Sequence, residues 1–386
     1  MNLRRRVCAI ALAGSTAAAA CAFTCTFGIG CAPNHGAAFP RAFAEAERAE
    51  TAGRYLEAAA RYDAAAKVAL LAHDRDHARY TAALMRIRGG ELRAGIERLD
   101  EIAEASPATE HSADAAYRAA SLRIDHGDDQ RGWRDMAAVV ARFSSHGIAH
   151  RALLRIVQHR DETDGVAETL RYLRDLAAGT LGASDVGELL SFQIAEHLAR
   201  VGDIAAARDQ FLRTAARWPY PSGAYWDDAL YRASEMDEAL GRYPDAIADL
   251  EQMLAERETS MMVGSYQRPR MSPALFRIGT LYAYRLNDRA KARGAFHRLY
   301  TEFATSTLRP EAMWMEASLW NDDGNPAAAC ACLETLTREF PASRYTACAP
   351  EKCPSLKPRK PSASSSDTTA VYCPPYVLEN RAIPAP

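Results

Sequence analysis

The sequence predicts an all-α fold, a right-handed α-solenoid of about eight helical hairpins, and three observations carry that prediction. First, a helix-ending landmark recurs at Gly53, Gly90, Gly127, Asp164, Gly202, Gly241, Asn287 and Gly324, in steps of 37, 37, 37, 38, 39, 46 and 37 residues. Six of these eight positions are glycine, although only 22 of 386 residues are, and Asp and Asn are the next best occupants of a left-handed helix-ending position. Second, fixed offsets from the landmark carry fixed residue types. Third, Pro107, Pro219 and Pro341 stand seventeen residues past their landmarks, where they end a helix.

The offsets justify each hairpin. Five residues after each landmark stand Ala58, Gly95, Gly132, Thr169, Ala207, Ala246, Ala292 and Ala329, small enough to let two helices cross closely. Four further on come Tyr62, Leu99, Met136, Leu173, Phe211, Leu250, Phe296 and Leu333, all large and apolar. With Ala65, Ile102, Val139, Leu176, Thr214, Met253, Leu299 and Leu336 three residues later, these columns form one apolar stripe at i, i+4 and i+7. Seven residues before the landmark stand Ala46, Ala83, Ala120, Val157, Ala195, Ser234, Thr280 and Ala317, mostly small, on the preceding helix. Each unit is therefore a helix, a tight turn and a second helix.

These columns resemble the tetratricopeptide repeat over residues 41–345, most specifically in the units at Gly53, Gly202, Gly241 and Gly324, and least around Asp164, where Val157 and Thr169 depart from the small columns. Repeats longer than the usual unit, with phrases such as Phe340-Pro341-Ala342-Ser343-Arg344-Tyr345 between them, are similar to those of Gram-negative periplasmic proteins. Among these are the lipoprotein of the outer-membrane barrel-assembly machinery and the Tol-Pal-associated cell-division coordinator. The resemblance implies a scaffold for other envelope proteins.

Residues 1–30 read as a secretory signal, with Arg4, Arg5 and Arg6 preceding an uncharged stretch from Val7 to Gly30. That stretch is rich in Ala, Gly, Thr and Ser, which disfavours retention as a membrane span. Gly28-Ile29-Gly30-Cys31 resembles a bacterial lipoprotein processing box, and Ala18-Ala19-Ala20-Cys21 fits as well, so the acylated residue is Cys31 or Cys21. The alternative is cleavage at an Ala-rich site and release as a soluble periplasmic protein. Residues 31–40 read as a linker, and 346–386 as an extended tail holding eight of the nineteen prolines.

Five cysteines, Cys330, Cys332, Cys348, Cys353 and Cys373, follow a long stretch without any. In an oxidising envelope the shortest closure joins Cys348 to Cys353, whereas Cys330 and Cys332 point in different directions on a helix and do not pair together. An odd count leaves at least one thiol free or paired elsewhere.

Two segments are candidate partner-binding sites. The step of 46 places an insertion at 256–271 containing Met261, Met262, Tyr266, Arg268 and Arg270, residue types enriched at protein interfaces, although the methionines fit equally well as packing against the next hairpin. Trp218 and Tyr220 form an aromatic turn that serves either to bind or to lock two repeats together.

No catalytic constellation is legible. Lys and Arg total 47 against 49 Asp and Glu, a balance that does not favour a nucleic-acid binder. His73 and His77, and likewise His146 and His150, have metal-ligand spacing without a third ligand nearby, so no metal and no cofactor are expected. Asp161 and Glu162, and Asp227 and Asp228, are adjacent in sequence and do not face one another on a helix. No small-molecule substrate is expected. The reading is a non-enzymatic scaffold at the periplasmic face of a membrane, with a soluble adaptor, or an envelope enzyme whose site lies between repeats, as alternatives.

Overall fold

The computed structural model describes residues 35–105, 107–256, 270–356 and 373. Among these the secondary structure is entirely helical, in two compact units divided after Gly95. The first unit holds α1 (Ala38–Thr51), α2 (Tyr55–Val68) and α3 (Ala72–Arg88), and α4 (Leu92–Ala103) carries the division. The second unit is a series of helical hairpins: α5 (Ser112–Asp125) with α6 (Asp129–Arg142), α7 (Gly147–Thr163) with α8 (Val166–Ala178), and α9 (Gly187–Arg200) with α10 (Ile204–Arg217). It continues with α11 (Trp226–Ala239) and α12 (Tyr243–Ala255), α13 (Met271–Tyr284) and α14 (Arg289–Glu302), α15 (Arg309–Asp322) and α16 (Pro326–Glu339), and ends at α17 (Arg344–Lys352).

The apolar stripe does what its periodicity requires. All eight members of the large column, from Tyr62 to Leu333, are at most 1% exposed. The small column sits where backbones cross: a Cβ on Gly132 would lie 2.6 Å from Cγ1 of Ile124, so only glycine fits there. The turns are closed by residues at positive φ, from Gly53 at +72° to Gly324 at +72°, with Asn287 at +52°. This conformation ends the helix and lets the backbone fold back, as in the Arg54 N–H to Ala49 carbonyl bond of 2.9 Å.

Four expectations need correction. The landmark of the fourth hairpin is Gly165 at φ +89°, whereas Asp164 keeps φ −104°; glycine takes the left-handed position without a Cβ penalty, so the turn shifts by one residue. Helix α1 begins at Ala38, within the stretch read as a linker, because Phe39 is buried against Ala65, Ala66 and Ala78. Helix α17 runs to Lys352, into the stretch read as tail, because Tyr345, Cys348 and Ala349 are buried against the last hairpin. The cysteines pair as Cys330–Cys353 and Cys348–Cys373, leaving Cys332 the free thiol. Cys348 sits midway along α17, whereas Cys353 lies just past its end with a non-helical backbone at φ −139° and meets Cys330 of α16 instead.

Residues 1–34, which include Cys21 and Cys31, lie outside the described residues. So do Met261, Met262, Tyr266 and Arg268, and the tail from 357 apart from Cys373.

Candidate protein-binding groove

The first helices of three successive hairpins, α9, α11 and α13, bring a repeated register onto one surface. Phe192, Tyr231 and Arg277 each stand ten residues before their landmark, at Gly202, Gly241 and Asn287, and Glu196 and Glu235 each stand six before. Helical spacing places these two positions one turn apart on the same face. Together with Asp228, Arg232 and Arg270, the residues Phe192, Glu196 and Glu235 line an open groove of about 390 Å³.

Arg232 is the centre of the floor. Its Nε donates to Oε1 of Glu196 at 2.6 Å and its Nη2 to Oε2 at 2.9 Å, a two-pronged bond between α11 and α9, and its Nη1 donates to Glu235. Arg277 extends the network from α13, donating from Nη1 to Glu235 at 3.1 Å and from Nε to Glu238. Burial works against charge on both guanidiniums, but the carboxylate bonds outweigh it and hold both arginines above their ordinary range. At the rim, Arg270 donates to Oδ1 of Asp228 at 2.7 Å and lies 5.0 Å from the centre of the Tyr231 ring, with Arg277 5.4 Å from the same ring. Pairing at this partly solvated site adds little stability; what it fixes is side-chain position.

The aromatic side of the groove is built by the turn before α11. Phe192 stacks on Tyr225 with ring centres 4.9 Å apart. The Tyr225 and Ala224 amides donate to the Glu188 carboxylate at 2.7 and 3.1 Å, which holds the turn against α9. Burial raises the Tyr225 phenol, with the Glu188 and Asp228 charges adding to the effect, so it stays a hydrogen-bond donor through neutral pH. Tyr220 packs on buried Trp226 at 5.6 Å, and Trp218 lies under the Arg217 guanidinium at 4.5 Å. Neither is among the residues that line the groove.

Of the residues singled out from sequence, the structure brings Arg270 into the groove, while Trp218 and Tyr220 are not among its lining residues. Phe192, Glu196, Asp228, Arg232 and Glu235 escaped notice as a site. The column ten residues before the landmark gives the signal, since it holds Phe43, Tyr80, Tyr117, Phe192, Tyr231 and Trp314. His73 and His77 stack with ring centres 6.5 Å apart, and His77 also stacks on Phe43. Among the described residues, no group of three or more His, Cys, Asp or Glu side chains is arranged to hold a metal.

One acid is displaced from ordinary titration. Asp249 on α12 faces Asp237 on α11, and burial together with the Asp237 charge pushes its carboxyl up to about 7. Asp237 is fully buried and Asp249 nearly so, and the pair lies in the core of the hairpin, apart from the residues that line the groove.

Residues 273–306 match the tetratricopeptide repeat family. No curated protein matches the chain. Among solved structures, the chain is similar to PilW, described as a widely conserved type IV pilus biogenesis factor, at 14% identity and a TM-score of 0.36, over 61% of this chain and 97% of that one. It is similar to PilF of Pseudomonas aeruginosa at 14% identity and a TM-score of 0.36, over 60% and 94% of the two chains. A tetratricopeptide repeat protein of Parabacteroides merdae shares 11% identity at a TM-score of 0.32, over 73% of this chain and 99% of that one. The matched residues, 273–306, fall on the hairpin of α13 and α14.

Proposed function

We propose that this chain is a non-enzymatic scaffold of the bacterial cell envelope that binds an extended segment of a partner protein in the groove between α9 and α11, with Arg270, just before α13, at its rim. The observation that carries the reading is the groove itself: an open channel lined by Phe192 and by Arg232 and Arg270, each already locked in place by carboxylates. A segment entering it meets side chains whose conformational entropy is already spent, which favours binding. Met261, Met262, Tyr266 and Arg268 join the proposal because their segment leads directly into Arg270 at the rim. An Arg232→Glu variant places a third carboxylate beside Glu196 and Glu235 and removes the clamp. It should keep the helical content of the parent and lose co-purification of its partners from a native envelope extract. Retained co-purification would refute the groove as the site.

The envelope assignment rests on the N-terminal charge and apolar pattern, on the lipoprotein-like boxes at Cys31 and Cys21, and on disulfides that persist in oxidising compartments. Among the described residues no helix is long and apolar enough to cross a membrane. In this reading an acylated cysteine at Cys31 or Cys21 supplies the anchor. Expressing the full chain in a Gram-negative host with a clickable fatty acid tests it. Label lost in only one of Cys31→Ala and Cys21→Ala would identify the anchor. An unlabelled parent free in the periplasm would replace it with the soluble adaptor, which shares the groove.

A further inference from the structure

The last hairpin differs from its predecessors in what lies beyond it. Trp314 occupies on α15 the register position held by Phe192 and Tyr231 on α9 and α11, yet it is 1% exposed where they are half-buried. Its cover is α17: the Tyr345 ring lies 5.8 Å away and the Lys352 ammonium 5.0 Å from the Trp314 ring centre. Tyr345, Cys348, Ala349 and Cys353 are buried in one cluster with Met313, Leu333 and Leu336. A helix of nine residues with Pro350 inside it is too short to persist on its own local bonding.

Two covalent ties hold it. Cys330–Cys353 joins α16 to the end of α17, and Cys348–Cys373 joins the middle of α17 to the chain beyond it. The bridges cross in sequence, so each loop contains one cysteine of the other. Cys332 stands two residues from Cys330 and is the thiol best placed to scramble them. It is instead half-buried, donating from Sγ to the Met313 carbonyl at 3.2 Å. Burial, reinforced by the Glu316 charge, pushes the thiol up to about 12, and a thiol that is not ionised does not attack a disulfide.

We infer that α17 is an oxidation-dependent cap: the two crossed disulfides clamp it over the apolar end of the array at Trp314, and their reduction releases it while the preceding hairpins stay folded. Each bridge forms by exchange with a protein disulfide. Two cysteine thiols give up two protons and two electrons, and the donor leaves carrying both as its own dithiol. A dithiol reductant reverses the step. The inference does not depend on the groove or on acylation.

The test uses the purified full-length chain. Differential alkylation followed by peptide mapping should recover Cys330–Cys353 and Cys348–Cys373, with Cys332 labelled only after denaturation. Hydrogen exchange with and without tris(carboxyethyl)phosphine should then show amides of α17 exchanging at least about tenfold faster after reduction, with α11 and α12 unchanged. A Cys348→Ser/Cys373→Ser variant, left oxidised, should show the same local effect. A different pairing would overturn the inference. So would complete reduction that leaves α17 as protected as before, or loss of protection spread equally over α11 and α12.

Discussion

Replacing Asp249 with Asn should make the protein more stable at pH 8 than the parent, and the structure gives both sign and size. Asp237 has no exposure and its Oδ2 accepts from Nε of Arg208 at 3.1 Å. Its Oδ1, which has Nη1 of Arg242 4.0 Å away, and the Oδ2 of Asp249 accept no hydrogen bond, so two carboxylates here leave buried acceptors unsatisfied. Burial first, and then the Asp237 charge, hold the Asp249 carboxyl near 7 when folded against 3.8 in the free side chain, and its proton relieves the pair by donating across it. The folded value is the higher one. The folded chain therefore holds a proton that the unfolded chain loses between pH 4 and 7, and stability falls as pH rises through that window. At about 1.4 kcal/mol per unit the ceiling is near 4 kcal/mol, and the residual solvent contact of Asp249 trims this to roughly 2–3 kcal/mol. Asn donates from its amide without a proton to lose. Urea unfolding followed by circular dichroism at pH 5 and pH 8 should show the variant about 1 kcal/mol more stable than the parent at pH 5 and about 2–3 kcal/mol more stable at pH 8. A variant that is less stable than the parent at both values would refute the shared-proton account.

Other expected outcomes follow from the same packing. Gly279→Ala should cost about 1–3 kcal/mol in urea titration, since a Cβ there would lie 2.6 Å from the buried Phe296 ring. Gly241→Ala meets no atom within 4 Å but must hold φ +73°, so its cost should be about 1–2 kcal/mol and entirely conformational, with Asn at the same position costing less. Removing the 23-residue crosslink with Cys330→Ser/Cys353→Ser should cost about 3 kcal/mol in the oxidised protein, read as a lowered unfolding midpoint against the parent. Trp314→Ala empties the space beneath α17 and should cost about 3–5 kcal/mol in the same assay.

The hairpins were legible because their determinants are local and periodic. Ala207, Phe211 and Thr214 announce one helix face by spacing alone, and a landmark at Gly202 or Asn287 closes a turn wherever it occurs. The error at Asp164 arose where two adjacent residues both suit a helix end and only the backbone decides between them. Disulfide pairing was not legible, because it depends on how α17 is rotated about its axis, and sequence spacing does not encode that rotation. The groove escaped for a different reason. Its arginines and glutamates read as ordinary solvated charge until successive hairpins stack, and Glu196 meets Arg232 across 36 residues. Asp237 and Asp249 likewise become neighbours only when α11 folds back on α12.

The central claim is that a partner segment lies in the groove at Phe192. Placing a photo-cross-linking amino acid at that position in the full-length chain, in growing cells, tests it most directly, with exposed Arg213 on α10 as the control position. The account predicts discrete adducts with partner protein from position 192 that disappear in an Arg232→Glu background, and none from position 213. Equal adducts from both positions, or none from 192 while the protein is folded and expressed, would contradict it.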